Sequence, residues 1–130
     1  MISVFLNAIR CIILKEIFLY EVRGGRMKLA QKVIKEYFNG WLNASIELSK
    51  SELKYFPDRP TDCLRMFESA KEAVNFALNK LDPTMLKAIT MHEKDNIPWQ
   101  QISDALGIKK YLLVTYKSRL IADVQKELEN

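Results

Sequence analysis

Apolar side chains recur at intervals of three to four residues along most of the chain, which is the spacing of a helix with one buried face. From Lys28 to about Leu53 this spacing predicts one long helix, in which Gly40 marks a bend or a close contact with a neighbour. From Cys63 to about Leu81 it predicts a second helix. No long run of alternating apolar and polar residues indicates a sheet, so the pattern predicts an all-α fold.

The clearest loop in the middle of the chain runs from residue 55 to residue 61. Pro57 and Pro60 bar a regular helix there, and Thr61 or Asp62 can cap the helix that follows. Residues 27–80 are therefore predicted to form a hairpin-like helical region, and an apolar face left over on it would suit a homodimer interface. Four aromatic side chains are expected in its core rather than as a stacking platform for bases: Phe38, Trp41, Phe67 and Phe76.

Residues 81–130 contain the signals of three further helices. Asp82 followed by Pro83 is typical of an N-cap and a first helical residue, and this helix is expected to end near residue 95. Pro98 suits the first turn of the next helix, which ends at Gly107 if this glycine adopts the left-handed conformation. The third helix, from about residue 109, has an apolar stripe of Leu112, Leu113, Tyr116 and Leu120.

Two helices joined by a tight glycine turn form a helix-turn-helix unit, whose second helix can enter the major groove of DNA. We therefore interpret residues 81–130 as a three-helix DNA-binding unit packed on the helical N-terminal part. The same turn also occurs as a plain packing corner, which is the structural alternative. The apolar stripe leaves a basic, hydroxyl-bearing face on or beside the outside of the last helix: Lys109, Lys110, Tyr111, Val114, Thr115, Ser118 and Arg119.

The predicted unit resembles region 4, the DNA-binding end of sigma factors, over residues 81–128. The resemblance rests on Ile102, Ser103, Leu106, Gly107, Ile108, Leu113 and Arg119. The chain is also similar in size and layout to small phage regulators of the ArpU and RinA type, which have such an element behind a helical N-terminal part. It departs from the pattern at two positions: Lys109 replaces the usual serine-like N-cap, and Val114 replaces a polar side chain that commonly contacts DNA.

The resemblance implies a sequence-specific DNA-binding regulator of transcription, encoded by a phage or prophage. Its expected partner is double-stranded DNA, and RNA polymerase is a second candidate partner. The alternative from another class is a small helical interaction protein, such as an adaptor or a phage inhibitor of a host protein, that does not bind DNA. The residues expected at the DNA are Lys109, Lys110, Tyr111 and Thr115 at base edges or adjacent phosphates, Ser118 and Arg119 at the backbone, and the N–H groups of Trp99 and Gln100 at a phosphate.

The net charge of +4 supports DNA binding only through its local distribution. Residues 1–26 carry four basic and two acidic groups, residues 27–80 nine and seven, and residues 81–130 seven of each. Because attraction to phosphates is screened within about 8–10 Å at physiological salt, DNA binding depends on local clusters of basic residues rather than on the net charge. Between residues 107 and 122 there is no acid but there are four basic groups: Lys109, Lys110, Lys117 and Arg119.

Nothing in the sequence indicates catalysis, a metal site or a cofactor. Cys11 and Cys63 lie far apart without CxxC or Cys/His spacing, so no zinc or redox site is expected and free thiols would suit a reducing cytoplasm. His92 is the only histidine and is expected to be exposed at a helix end. The sequence has no glycine-rich phosphate loop or nucleophile motif, so we predict a cytoplasmic protein that is not an enzyme and has no cofactor.

Residues 1–26 are the most apolar part of the chain. Arg10, Lys15 and Glu16 interrupt them, so the run falls short of the ~20 apolar residues of a membrane span, and no membrane partner is predicted. Residues 23–25 can be encoded by a purine-rich tract of the ribosome-binding kind just before Met27, which suggests that residues 1–26 are a translated leader. The rival interpretations are an amphipathic helix that docks on the domain or pairs two chains, and an interfacial membrane anchor.

Overall fold

The computed structural model describes residues 28–129, so the interpretations of residues 1–26 lie outside the described residues. Within the described range the chain forms helices and no strands, which confirms the predicted all-α fold. None of these helices is long and apolar enough to span a bilayer. The six helices are α1 (Lys28–Phe38), α2 (Trp41–Tyr55), α3 (Asp62–Leu78), α4 (Pro83–Glu93), α5 (Trp99–Leu106) and α6 (Lys110–Glu129).

The prediction of one helix from Lys28 to Leu53 is wrong, because the chain turns between α1 and α2. Gly40 adopts a left-handed conformation with φ 87°, which residues with a Cβ rarely adopt. The Trp41 N–H donates to Asn39 Oδ1 at 2.9 Å within this turn. A Cβ at Gly40 would meet no atom within 4 Å, so the bend, rather than a close contact, accounts for the glycine.

The proline loop is confirmed, since residues 56–61 separate α2 from α3. Arg59 braces this loop through an ion pair with Glu52 Oε1 at 2.9 Å. Thr61 occupies the N-cap position of α3, but its side chain accepts no capping hydrogen bond. α3 ends at Leu78, before the predicted end at Leu81, and a short turn leads into α4.

The larger of two apolar clusters lies between α1, α2, α3 and the C-terminal half of α6, with Ile89 contributed by α4. Tyr37 on α1 also donates to Asn75 Oδ1 on α3 at 2.5 Å, which fixes how these two helices lie against each other. We call this the bundle cluster. Its buried members are Leu29, Ala30, Val33, Ile34, Leu42, Ile46, Phe67, Ala70, Ala73, Val74, Ala77, Leu78, Ile89, Leu120, Ile121 and Val124.

The smaller apolar cluster lies between α4, α5 and the N-terminal half of α6, and we call it the helix-turn-helix cluster. Its buried members are Met85, Ala88, Ile102 and Leu113. Partly buried side chains complete it, among them Ile97, Leu106, Ile108 and Tyr116. Leu81 and Trp99 contact both clusters, so the two cores adjoin each other.

The aromatic side chains of residues 27–80 do not all lie in the core. Phe67 is fully buried and Phe38 is half-buried, as predicted, but Trp41 is 59% exposed and Phe76 is 49% exposed. The helical period does not carry over from α1 to α2, because the turn at Gly40 resets it, and Trp41 therefore faces outward. Phe76 lies beside an open groove and under the Lys80 ammonium, which is 4.5 Å from the ring centroid.

The expectation of free thiols is wrong for Cys63, which is disulfide-bonded at the start of α3. The chain has one other cysteine, Cys11, which lies outside the described residues. Sequence spacing could not reveal this bond, because Cys63 belongs to no recognisable cysteine motif.

Candidate nucleic-acid interface

The first helix of the C-terminal unit, α4, begins as the sequence predicts. Asp82 is its N-cap, and its Oδ1 accepts a hydrogen bond of 2.8 Å from the Met85 N–H. Pro83 follows at the first helical position, where its missing N–H would have no intrahelical acceptor. These two residues fix where the three-helix unit starts.

The turn between α4 and α5 is held by contacts that the sequence did not reveal. Asn96 adopts a left-handed conformation with φ 56°, and the Ile97 N–H donates to the Met91 carbonyl at 3.1 Å to close α4. His92 Nδ1 lies 3.0 Å from the Ile97 carbonyl oxygen. The His92 ring also stacks on Trp99, with centroids 3.7 Å apart and planes inclined by 13°. The prediction of an exposed His92 is therefore wrong. The ring is half-buried, and its contacts with Ile97 and Trp99 stabilise this turn.

The turn between α5 and α6 has the predicted geometry. Gly107 has φ 68° and ψ 28°, and its N–H donates to the Ser103 carbonyl at 2.9 Å. A Cβ at this position would meet no atom within 4 Å, so the backbone conformation alone requires the glycine. Ile108 turns inward beyond it and packs on the helix-turn-helix cluster.

The start of α6 has an unfavourable charge arrangement. Lys109 takes the N-cap role, because its carbonyl accepts from the Leu112 and Leu113 N–H groups at 3.0 and 3.3 Å. Its side chain has no acceptor for a capping bond, and the first turn of α6 contains no acidic residue. Lys109 and Lys110 thus stand at the positive end of the helix dipole, where anionic groups are favoured. A phosphate at this end would resolve the conflict.

The outer face of α6 is confirmed as exposed. We use this name for Tyr111, Val114, Thr115, Ser118 and Arg119, all of which are exposed, as are Lys109 and Lys110. The Thr115 and Ser118 hydroxyls donate to the carbonyls of Tyr111 and Val114 at 2.8 and 3.1 Å. Each hydroxyl oxygen therefore presents only lone pairs to an incoming partner, and Ser118 must break its bond before it can donate to a phosphate.

The basic cluster is smaller than the sequence suggests, because one of its four members pairs within the protein. Lys117 Nζ lies 2.7 Å from Glu93 Oε1 on α4, and the two side chains are 30% and 10% exposed. This pair joins residues far apart in sequence, so no local spacing could have revealed it. Arg119 stays on the surface, with its guanidinium carbon 5.5 Å from the centroid of the Tyr116 ring.

The start of α5 offers backbone donors rather than side chains. The helix begins at Trp99, and Pro98 occupies its N-cap position, not its first turn, without a side-chain capping bond. The indole of Trp99 packs on His92 and on both clusters. The group of Trp99 that could bind a phosphate is therefore its backbone N–H, not its ring. Gln100 is exposed, and its Nε2 donates to Asp104 Oδ1 at 3.1 Å.

The arrangement as a whole is a candidate binding surface. It brings two lysines, an arginine, two hydroxyls and an exposed tyrosine to the start and one side of α6. Among residues 28–129 no group of three or more His, Cys, Asp or Glu side chains could hold a metal ion. The surface has the chemistry to bind phosphates and base edges.

Comparisons of this chain with protein-family models, with curated proteins and with solved structures find no match. The resemblance to sigma-factor region 4 and to the ArpU and RinA regulators therefore stays a prediction.

Proposed function

We propose that the protein binds double-stranded DNA sequence-specifically and regulates transcription, and that it is encoded by a phage or prophage. The observation that carries the proposal is the exposed pair Lys109 and Lys110 at the start of α6. Lysines at this end of a helix disfavour folding slightly, whereas a phosphate ligand would turn them into favourable contacts. The transcriptional role and the phage origin rest on the sequence resemblance alone.

In the proposed complex the outer face of α6 lies in the major groove, which is wide enough for one helix. The Thr115 oxygen, whose hydrogen is donated to the backbone, suits the exocyclic amines of adenine or cytosine. Val114 is 42% exposed and suits the methyl group of thymine. The N–H groups at the start of α5, together with Lys109, Lys110 and Arg119, bind phosphates on either side of the groove.

The proposal implies partners beyond a single DNA site. A homodimer would place two copies of α6 on half-sites one helical turn apart, and RNA polymerase would be the target of an activator. DNA binding would also place the protein in the cytoplasm, although Cys63 is not the free thiol expected in a reducing compartment.

A second candidate function is a helical interaction module that does not bind DNA. The observation that favours it is the apolar character of the first turns of α6, where Tyr111 is 63% exposed, Val114 42% and Leu112 36%. Such side chains can pack on a partner helix as well as on a base pair. The two functions differ in their dependence on salt.

A gel shift on mixed-sequence DNA at several salt concentrations separates the two functions. We expect Lys110→Ala and Arg119→Ala each to weaken binding to all sequences and to reduce the salt slope by about one unit, because each removes one phosphate contact. Lys126→Ala is the matched control, since Lys126 is exposed on the same helix but in its last turn.

The decisive variant is the double substitution of Lys110 and Arg119 by alanine. If it keeps the helix content of the parent in circular dichroism and also keeps its DNA affinity and salt slope, the proposal fails in favour of the interaction module. If the parent does not bind DNA at low salt, the proposal fails without any variant.

A further inference from the structure

An open groove lies between α1, α3 and the end of α6, on the bundle side of the protein. Its volume is about 530 Å³. Val33, Met66, Ala73, Phe76 and Leu128 give it a largely apolar lining. Phe76 is left 49% exposed there, although a phenylalanine gains most from full burial.

We propose that residues 2–19 of the same chain occupy this groove. The groove lies within reach of this segment along the chain. α1 starts at Lys28, and the next residue, Leu29, lines the groove. Residues 20–27 can span up to about 26–29 Å when extended. The stretch of α3 from Met66 to Phe76 rises only about 15 Å, so the tether reaches all of the groove.

The segment and the groove are also chemically complementary. Residues 2–19 are the most apolar stretch of the chain, and they match an apolar lining that no described residue covers. Residues 2–19 carry two basic groups, Arg10 and Lys15, and one acid, Glu16, whereas two acids, Glu72 and Glu127, lie among the groove's lining residues. The segment and the groove therefore have opposite net charge.

A cysteine at one end of the groove connects it to the same segment. Cys63 is disulfide-bonded, and it lies one helical turn before Met66 on α3. The chain has only one other cysteine, Cys11, in the middle of residues 2–19. A disulfide requires Cα atoms within about 7 Å of each other, so a segment seated in the groove would bring Cys11 to this end of it.

A second copy of the chain is the competing occupant, and tethering disfavours it. A short flexible tether presents a segment at an effective concentration of about millimolar, which exceeds any ordinary protein concentration. The inference does not depend on DNA binding. It favours a docked segment over a translated leader for residues 1–26.

The test measures how fast the two native cysteines pair in the full chain. The reduced protein is mixed with oxidised glutathione, which accepts two electrons and two protons as the two thiols form one disulfide. The comparison protein is the Cys63→Ser, Ser51→Cys variant, whose new thiol is exposed on α2, a helix that does not line the groove. We expect the native pair to form about tenfold faster or more, because docking raises its effective concentration above that of a free tether.

A second pair of variants removes the apolar contact without touching a cysteine. Phe76→Gln should slow the native pairing several-fold, whereas Phe56→Gln should leave it unchanged, because Phe56 is equally exposed, at 48%, but lies in the proline loop. Circular dichroism checks that both variants keep their helices. Equal rates for the native and comparison thiols, or no effect of Phe76→Gln, would overturn the proposal. Disulfide-linked dimers whose yield rises with protein concentration would overturn it in favour of a second copy.

Discussion

The bundle cluster and the helix-turn-helix cluster share two helices, α4 and α6, but differ greatly in size. The bundle cluster buries sixteen side chains, whereas the helix-turn-helix cluster buries four. α6 contributes Leu120, Ile121 and Val124 to the first and only Leu113 to the second. A cluster of four buried residues is too small to stabilise an independent unit, so the continuous helix α6 ties the helix-turn-helix to the bundle.

This difference explains how the N-terminal half of α6 can keep so much of its surface free. Its outer face carries exposed polar and aromatic side chains, which contribute little to folding. The bundle half of the same helix buries more apolar side chains, so it contributes more to the free energy of unfolding than the half with the outer face does. The protein thus separates a stabilising region from a candidate binding region within twenty residues.

The largest expected effects come from emptying either cluster. Phe67→Ala in the bundle cluster should lower the free energy of unfolding by about 3–5 kcal/mol, and Ile102→Ala in the helix-turn-helix cluster by about 2–5 kcal/mol. Both losses should appear in one cooperative transition, because α6 belongs to both clusters. Denaturant titration followed by circular dichroism and by Trp99 fluorescence, in a Trp41→Phe background, measures this.

Different unfolding midpoints by circular dichroism and by Trp99 fluorescence would contradict a shared transition. If Ile102→Ala shifted only the Trp99 signal and left the helical signal at its parent midpoint, the two clusters would unfold independently. The helix-turn-helix would then be a separate domain, and α6 would fray at its middle.

Most of the fold could be predicted from the sequence because the helices have strong local signals. Asp82 and Pro83 mark the start of α4, and Gly107 marks the end of α5. Gly40 was not identified as a helix boundary because the apolar residues Phe38, Trp41 and Leu42 keep a spacing of three to four along the sequence, although the chain turns between them. A glycine flanked by asparagine was the available signal for a turn.

The exposed face of α6 could also be predicted, because it depends on the same period. The contacts of Lys117 and His92 could not, since both join residues from different elements. Phe76 was misplaced for a related reason. Its face of α3 is apolar, but no described helix covers it.

Two left-handed glycines allow a direct comparison between the two regions. Gly107→Val and Gly40→Val should each lower the free energy of unfolding by about 1–3 kcal/mol, because both positions have positive φ and open space around them. Thermal denaturation measures this. Only Gly107→Val should also weaken DNA binding, since it disturbs the orientation of α6 relative to α5.

Asparagine tolerates the left-handed conformation better than valine does, so Gly107→Asn is the control and should lose less stability. If Gly107→Val and Gly107→Asn melted alike, the left-handed turn would not be the source of the loss. If Gly40→Val weakened DNA binding as much as Gly107→Val, the two regions would not be functionally distinct.

The smallest expected effect tests whether the start of α6 is adapted to binding rather than to folding. Lys110→Glu replaces a cation by an anion at the positive end of the helix dipole, so it should raise the free energy of unfolding by about 0.3–1 kcal/mol at low salt. It should also abolish DNA binding, because the new carboxylate repels phosphates.

Lys126→Glu makes the same charge change at the other end of α6, where a cation is favoured, so it should lower stability by a similar amount and leave DNA binding largely intact. Denaturant titration at low and high salt measures the change in stability of each variant, and the gel shift measures the change in its DNA binding. A loss of stability in Lys110→Glu would mean that Lys110 supports the fold, and the charge conflict that motivates the DNA-binding proposal would disappear.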